Sequence, residues 1–181
     1  MRESIPRLSF SELDPQLAEM LRPKVERLNY LGEFFQCMGH QPQALMAFHT
    51  LTEELKKALP DNLTEVVALS MATAMGNDYE QVQHERLALK LGFSEAWVRE
   101  AIAIRGQDAK ELTAAEVLVQ KLALAIIERR GHGTTEELEA VVRSLGQAQA
   151  VGVLLLIGRY AMHALISNSL ALKAPVASPL A

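Results

Sequence analysis

The sequence of 181 residues contains a single cysteine, Cys37, and this scarcity excludes several classes of protein. One cysteine cannot form a disulfide framework, a Cys-x-x-Cys redox pair or a thiolate cage for zinc. A lone thiol is also typical of a protein in a reducing compartment. We therefore expect a cytoplasmic protein whose chemistry does not depend on paired thiols.

Basic charge is also scarce, with 18 Lys and Arg residues against 22 Asp and Glu and a net charge of -4. Because these cations are scattered and form no basic stripe, we expect no nucleic-acid partner. Residues 1–8 combine mixed charge with Pro6, unlike the continuous apolar segment of a signal peptide. The most apolar stretch, Ala150 to Gly158, ends at Arg159 and is far shorter than the roughly 20 residues that span a membrane. We therefore expect no membrane partner and interpret this stretch as a core or interface helix.

The alternation of apolar and polar residues that marks a strand is missing, whereas helix-forming residues dominate. The sequence therefore predicts an all-α protein of about eight helices. Capping-box patterns, in which a small polar residue precedes a Glu by three positions, predict helix starts at Asn62–Glu65, Thr113–Glu116 and Thr134–Glu137. Ser94 is expected to cap a further helix, with Gly106 at its end.

Three parts of the chain differ in organisation. We expect residues 1–41 to form an N-terminal helical extension, residues 42–173 to form the main domain and residues 174–181 to be a flexible tail. Within the extension, residues 32–39 are predicted to be a short apolar connector between helices.

The longest helix is predicted from Gln147 to Leu172, after a break at Gly146. This helix carries more apolar surface than one small domain can cover. Because an uncovered apolar face on a protein surface usually marks an interaction site, we expect a homo-oligomer.

Residues 76–84, with the sequence Gly-Asn-Asp-Tyr-Glu-Gln-Val-Gln-His, mark the point where an apolar run gives way to ionisable groups. The preceding residues, 66–75, carry no charge on any face, which predicts a helix buried on all sides. In the following helix, Glu80 and His84 continue an apolar stripe and are predicted to point inward. The rest of this stripe is Leu87, Ala88 and Leu91. The polar face predicted to meet solvent is Asp78, Gln81 and Glu85.

His84 is a candidate general acid or base, because an imidazole beside a carboxylate in an apolar cleft titrates near neutral pH. The alternative is a core histidine whose hydrogen bonds are satisfied. Glu80 can orient His84, act as a base itself, or make an ordinary i, i+4 pair worth ~0.3 kcal/mol. For Glu65, a helix cap is sufficient to explain a glutamate at that position.

Two further side chains are candidates for substrate binding. Tyr79 can donate a hydrogen bond to a substrate oxyanion, or it can simply pack at a helix start. Arg159 lies one turn before His163 on the last helix, where a cation needs a partner. That partner is either a neighbouring subunit or the carboxylate of a substrate.

Glu65, Glu80 and His84 are possible metal ligands by type. With one histidine among them and no His-x-x-x-His pair, however, we expect neither a metal nor a cofactor.

The spacing of Glu65, Asn77, Glu80 and His84 resembles a motif of the carboxymuconolactone decarboxylase and AhpD-like alkylhydroperoxidase superfamily. That motif is a Glu, eleven residues, Cys-x-x-Cys, three residues and a His. Supporting similarities are Leu59, Leu63, the Asp78-Tyr79-Glu80 triplet, Ala88, Gly92, Ser94, Leu156 to Tyr160 and Asn168. The resemblance covers roughly Pro42 to Leu172. It implies an AhpD-like helical bundle, assembly into a trimer or hexamer, and a pocket near the histidine at a subunit contact.

The departures from the motif limit the chemistry. Asn77 and Glu80 occupy both cysteine positions, and neither side chain can form a disulfide or attack a peroxide. We therefore exclude a thiol peroxidase. The resemblance points instead to the cysteine-free branch of the superfamily, which includes decarboxylases.

We expect a cofactor-independent lyase or isomerase that acts by proton transfer on a small organic acid or lactone. His84 would move the proton, and Glu80 and Glu65 would set its basicity and orientation, with Glu65 as a proton relay on the strength of the resemblance. The expected substrate-binding residues are Tyr79, Asn77 and Arg159. The alternative is a non-catalytic oligomeric binding or scaffold protein of the same fold that has lost the Cys-x-x-Cys chemistry.

Overall fold

The computed structural model describes residues 4–104 and 108–181. These residues form one short 3-10 helix and eight α-helices and contain no strand, which confirms the predicted all-α fold class. In chain order the elements are the 3-10 helix Phe10–Glu12, α1 Pro15–Leu28, α2 Glu33–Met38, α3 Pro42–Ala58, α4 Asp61–Ala74, α5 Asp78–Leu91, α6 Glu95–Ala103, α7 Ala114–Glu128 and α8 Thr135–Ser169. The connector predicted at residues 32–39 is wrong, because Gly32 and Gly39 are the two caps of α2.

The chain divides into two compact units, Met1–Glu54 and Leu55–Ala181. The domain limits predicted from the sequence remain predictions. In the first unit, Phe34 is buried and its ring lies 5.7 Å from that of Phe35 and 5.6 Å from that of Phe48, between ring centroids. These aromatic contacts join α2 to α3 within that unit.

α4 is the central helix of the second unit and packs against α5, α6, α7 and α8. Every residue from Leu63 to Ala72 is buried. The burial predicted for the charge-free residues 66–75 is confirmed for 66–72, whereas Ala74, at the end of the helix, is exposed. Because α4 has no solvent-facing side over this range, a polar side chain on it must find its hydrogen-bond partner within the protein.

Two predicted capping boxes have different outcomes. Thr113 and Glu116 form the complete box at the start of α7, as predicted. At the start of α8, the hydroxyl of Thr134 makes no capping hydrogen bond with any described residue. Glu137, its expected partner, instead forms an ion pair with Arg129 at 3.0 Å. The box predicted at Thr134 is therefore wrong, because a nearby cation attracts the glutamate.

α6 follows α5 after Gly92, which ends α5 in the left-handed conformation. Ser94 caps α6 by accepting a hydrogen bond from the backbone N–H of Trp97 at 3.1 Å, which confirms the predicted start. Gly106, the predicted end of this helix, lies outside the described residues.

α8 is the longest helix, and Gly146 interrupts it with φ 80° and ψ 167°. The predicted break at Gly146 is therefore present, whereas the helix ends at Ser169, before the predicted Leu172. By length and hydropathy alone α8 could cross a membrane, but 56% of its most apolar 18-residue window is buried inside the protein. Such burial is typical of a core helix, so composition alone is weak evidence for a membrane span.

The faces of α5 depart from the helical pattern at two positions. Leu91 was predicted to point inward but is 44% exposed. Glu85 was predicted to meet solvent but is 2% exposed. Its two carboxylate oxygens accept hydrogen bonds from the side chains of Gln81 and Ser178. The segment after α8 therefore covers a face of α5 that would otherwise be exposed to solvent.

Candidate functional site

The candidate site is a cluster of buried polar side chains from α4, α5 and α8. Glu65 is the fifth residue of α4, is 2% exposed, and its Oε2 lies 2.8 Å from Nδ1 of His84. The cap predicted at Asn62 is wrong: Pro60 precedes α4 as the cap residue, and the Asn62 amide donates to Glu116 at 2.7 Å. Glu65 therefore belongs to the buried cluster and does not cap α4.

The turn between α4 and α5 fixes the position of Glu80. Gly76 adopts a φ of 59°, a left-handed conformation that glycine reaches without strain. The buried Asn77 is the cap of α5, and its side-chain oxygen accepts a hydrogen bond from the backbone N–H of Glu80 at 3.3 Å. Asn77 thus holds the first turn of α5. A role for Asn77 in substrate binding remains a prediction.

The Glu80 carboxylate faces three nitrogen-bearing side chains. Its Oε2 lies 3.4 Å from Nε2 of His84 and 3.3 Å from Nη1 of Arg159. Its Oε1 lies 3.3 Å from Nε2 of His163. His84 is one turn along α5, while Arg159 and His163 are one turn apart on α8. This single carboxylate therefore links α5 to α8.

His84 uses both ring nitrogens. Nδ1 contacts Glu65, and Nε2 lies 3.1 Å from the hydroxyl of Tyr160 in addition to its contact with Glu80. The rings of His84 and Tyr160 meet edge to face, with centroids 5.2 Å apart and planes at 81°. Glu65, His84 and Tyr160 therefore form a hydrogen-bonded chain that runs from α4 through α5 to α8.

The cluster shifts two pKa values. Burial favours the neutral form of His84, but the Glu65 carboxylate, followed by Glu80, outweighs burial and raises the pKa of His84 to about 9. Burial likewise opposes the charge on Glu80. His163, His84 and Arg159 outweigh it and hold the pKa of the Glu80 carboxyl well below its usual range. The expectation that His84 titrates near neutral pH is wrong, because two carboxylates flank the ring. At neutral pH the ring is an imidazolium and a proton donor.

Tyr79 and Arg159, both predicted to bind substrate, lie at the border of the cluster. Tyr79 is buried, and its ring stacks on that of His163 with centroids 6.0 Å apart, so it does pack. The Arg159 side chain is 10% exposed, and its guanidinium carbon lies 4.3 Å from the centroid of the Tyr160 ring. The ion pair that was predicted with a neighbouring subunit is made within the chain, with Glu80.

Tyr160 and His163 are members of the cluster that were not predicted as site residues. Both lie on the row of α8 that faces the core, and Ser167 continues this row with its hydroxyl 3.1 Å from Nδ1 of His163. The available signal was their spacing of three and four residues on an otherwise apolar helix. Polar side chains in such a row need partners on another helix, and here Glu80 and His84 provide them.

No three His, Cys, Asp or Glu side chains within residues 4–104 and 108–181 are arranged to hold a metal ion. The candidates by ligand type, Glu65, Glu80 and His84, are hydrogen-bonded to one another. The cluster thus offers a buried proton donor, an ionised carboxylate and, at its edge, the guanidinium of Arg159. This set of groups is suited to acid–base chemistry.

Residues 42–120 match the model of the carboxymuconolactone decarboxylase family. Among solved structures, a cysteine-to-alanine variant of the debrominase Bmp8 in complex with 2,3,4-tribromopyrrole has a TM-score of 0.84 at 19% identity, covering 97% of this chain and 94% of that one. An uncharacterized peroxidase-related protein from Ralstonia eutropha JMP134, an alkylhydroperoxidase AhpD core, has a TM-score of 0.79 at 14% identity, covering 93% and 90%.

A protein of unknown function from Agrobacterium tumefaciens has a TM-score of 0.68 at 17% identity and covers 77% of this chain and 96% of its own. No curated protein is significantly similar in sequence. At these identities the likeness to solved structures shows a shared fold. The family match over residues 42–120 contains the Glu65 to His84 motif, and the AhpD-like fold extends over nearly the whole chain. Residues 42–120 are therefore similar to the carboxymuconolactone decarboxylase family, and the chain has an AhpD-like fold.

Proposed function

We propose that the protein is a cofactor-independent cytoplasmic lyase that decarboxylates a small organic acid or lactone and protonates the product carbon. The observation that carries this proposal is the position of His84 between two carboxylates, with the Tyr160 hydroxyl on the same ring nitrogen as Glu80. A buried imidazole with a pKa of about 9 holds its proton at neutral pH. Such a group is suited to act as a general acid.

The protonation step of a decarboxylation uses this arrangement directly. Loss of the substrate carboxylate as CO2 breaks a carbon–carbon bond and leaves the electron pair on the adjacent carbon. The Nε2–H of His84 then delivers a proton to that carbon, directly or through the hydroxyl of Tyr160, and solvent reprotonates the ring. The Glu65 carboxylate accepts a hydrogen bond from Nδ1, which stabilises the charged ring before transfer.

The charges of the cluster are suited to an anionic substrate. Arg159, His84 and His163 surround the Glu80 carboxylate, so its charge is compensated within the site. Because Arg159 is the partly exposed member, an arriving carboxylate would meet this cation first. Tyr79 and Asn77 remain proposed substrate contacts.

Decarboxylation is favoured here over isomerisation. An isomerase must first remove a proton from carbon, and Glu80 would be the base for that step. Because its pKa lies well below the usual range, Glu80 is a weak base. The cluster is therefore better suited to donating a proton than to abstracting one.

One observation favours a second candidate, the non-catalytic oligomeric binding or scaffold protein. Glu65, Glu80, His84 and His163 all have partners within the chain. Structural ion networks also satisfy their members in this way and perturb the pKa values of those members.

The test is turnover of a panel of carboxylated γ-lactones and β-keto acids in D2O, followed by proton NMR. We expect the protein to release CO2 and to place deuterium on the carbon that lost it. His84→Gln should reduce this rate by at least about 100-fold, because a general acid contributes that much or more. The matched control is His132→Gln, an exposed histidine in the turn after α7, which should leave the rate unchanged.

The pH profile provides a second readout. The rate should fall as pH rises through about 9, where His84 loses its proton. Turnover that survives His84→Gln would contradict the role of this residue. Binding of panel members without any turnover would favour the scaffold protein.

A further inference from the structure

His163 is a second buried histidine that the proposed protonation step does not use. It lies on α8 and is 3% exposed. Its Nε2 lies 3.3 Å from Oε1 of Glu80, and its Nδ1 lies 3.1 Å from the hydroxyl of Ser167. The ring of Tyr79 stacks on the imidazole, with centroids 6.0 Å apart and planes at 19°. Both ring nitrogens of His163 therefore have a polar partner inside the protein.

The two histidines of the cluster differ in the kind of partner that each ring nitrogen has. Both nitrogens of His84 face a carboxylate, Glu65 at Nδ1 and Glu80 at Nε2. Because an ionised carboxylate only accepts hydrogen bonds, this setting favours an imidazole with a proton on each nitrogen. In His163 only Nε2 faces a carboxylate, whereas Nδ1 faces the hydroxyl of Ser167.

The Ser167 hydroxyl allows His163 to change its protonation state without losing a hydrogen bond, because a hydroxyl both donates and accepts. It can donate to Nδ1 of a neutral ring, whose Nε2–H then donates to Glu80. In the charged ring Nδ1–H donates, and the hydroxyl oxygen accepts. His163 is therefore a histidine whose charge can change while its two partners stay in place.

The charges of the cluster are balanced when the His163 ring is neutral. Glu65 and Glu80 contribute two negative charges, and the imidazolium of His84 and the guanidinium of Arg159 contribute two positive charges. Against burial, His163 helps to lower the pKa of the Glu80 carboxyl. This effect comes from the charged ring, which an imidazole adopts in acid, where carboxyl groups titrate. A further carboxylate at neutral pH would leave one buried negative charge uncompensated, which is unfavourable.

We propose that His163 takes up one proton when a ligand with a carboxylate binds beside Arg159. The inference rests on the proposed function, which supplies the anionic substrate. His163 faces Glu80 and Tyr79 on α5, and it shares the Glu80 carboxylate with Arg159, one turn earlier on α8. Arg159 already carries its charge, and the phenol of Tyr79 gains no positive charge. Because the pKa of Glu80 is held well below its usual range, the compensating proton goes to His163.

Isothermal titration calorimetry in buffers of different ionisation enthalpy counts the protons taken up per bound ligand. The probes are acetate, lactate and γ-carboxy-γ-butyrolactone, each of which carries one carboxylate. At about pH 7.5, below the pKa of about 9 of His84, we expect the wild type to take up about one proton per bound probe. The dissociation constant should therefore rise about tenfold between about pH 7 and about pH 8.

His163→Gln is the test variant, because glutamine keeps an N–H donor for Glu80 but takes up no proton. It should bind the probes with proton uptake close to zero. The exposed His132→Gln is the matched control and should take up as many protons as the wild type. Circular dichroism establishes that each variant is folded. Proton uptake that persists in His163→Gln would overturn the proposal, and so would wild-type binding without uptake or the absence of binding by all three probes.

NMR spectra of nitrogen-labelled histidine rings test the free wild-type protein, so this measurement does not depend on the folding of a variant. At about pH 7.5 we expect His84 to be protonated on both nitrogens and His163 on Nε2 alone. A free protein in which His163 already carries both protons would overturn the proposal. Turnover with binding that takes up no proton would refute this role of His163 and leave the proposed decarboxylation intact. Proton-coupled binding of the probes without turnover of the substrate panel would refute the decarboxylation alone.

Discussion

The starts of α4 and α7 carry the same sequence pattern, a small polar residue followed three positions later by Glu, but the two patterns fold differently. At α7 the backbone N–H of Thr113 donates to the Glu116 carboxylate, and the backbone N–H of Glu116 donates to the Thr113 hydroxyl. At α4 neither residue caps the helix. Asn62 donates to Glu116, and Glu65 binds His84.

The difference between the two helix starts lies in their neighbours. Glu65 and Glu116 are both 2% exposed, so burial alone does not separate them. Glu65 has an imidazole 2.8 Å away, and a charged partner in a buried setting outweighs a helix cap worth about 1 kcal/mol. A capping-box pattern therefore predicts a cap only where no other charged group competes for the glutamate.

Removal of His84, the partner of Glu65 at the start of α4, should produce the largest loss of stability. We expect His84→Leu to lower the free energy of unfolding by about 3–5 kcal/mol, because it leaves Glu65 buried without its charged partner. Urea denaturation at neutral pH measures this loss. The double variant Glu65→Gln/His84→Leu should recover most of it, and the exposed His132→Leu should change stability by less than about 0.5 kcal/mol. Similar small losses for His84→Leu and His132→Leu would show that no buried ion pair holds Glu65.

The pH dependence of the free energy of unfolding should distinguish Glu65 from Glu116. This effect should be somewhat smaller than the loss caused by His84→Leu. The pKa of His84 is raised from 6.5 to about 9 on folding, so the folded state holds a proton that the unfolded state releases between these values. The stabilisation is complete below about pH 6.5 and is lost as pH rises through about 9, by at most about 3 kcal/mol. The lowered pKa of Glu80 has the opposite effect: its contribution is present above about pH 4.5 and is lost as pH falls below that value.

The control for this series is the other helix start. Glu65→Gln should flatten the decline in urea midpoint between neutral pH and about pH 9, because it removes the charge that raises the pKa of His84. Glu116→Gln should leave the decline unchanged. Equal slopes in the two variants would show that the pH dependence does not arise from the buried cluster.

The smallest expected effect concerns Asn62. The experiment asks whether its side chain stabilises α7, through Glu116, or α4. Asn62→Ala and Glu116→Ala should each cost about 1 kcal/mol. Because the two side chains are hydrogen-bonded at 2.7 Å, the double variant should cost less than the sum by about 0.5 kcal/mol or more. Additivity of the two losses in urea denaturation would mean that Asn62 stabilises α4 independently.

Local patterns in the sequence predicted the features that depend on local causes. The charge-free run predicted the burial of residues 66–72 of α4, and the stripe on α5 predicted that Glu80 and His84 point inward, where both are 7% exposed. The capping box at Thr113 was predicted in the same way. Each of these features follows from residues within a few turns of one helix, where periodicity and capping rules apply.

The features that the sequence did not predict depend on partners far along the chain. Tyr160 meets His84 across 76 residues, and the raised pKa of His84 depends on Glu65, 19 residues away. Glu85 is buried because Ser178, 93 residues later, covers it. A helical pattern records which face is apolar, but it carries no information about which polar group will lie opposite.

Gly146 has a consequence for how α8 tolerates mutation. Its φ of 80° and ψ of 167° fall in a region essentially restricted to glycine, although a Cβ there would meet no described atom within 4 Å. The constraint lies in the backbone, so a saturation library selected only for folding should retain glycine at this position despite the open space around it. Under the same selection Gly158 should be replaced freely, because neither its backbone nor its surroundings require glycine. Tolerance along one helix would then distinguish the glycine that the backbone requires from the one that the fold does not require.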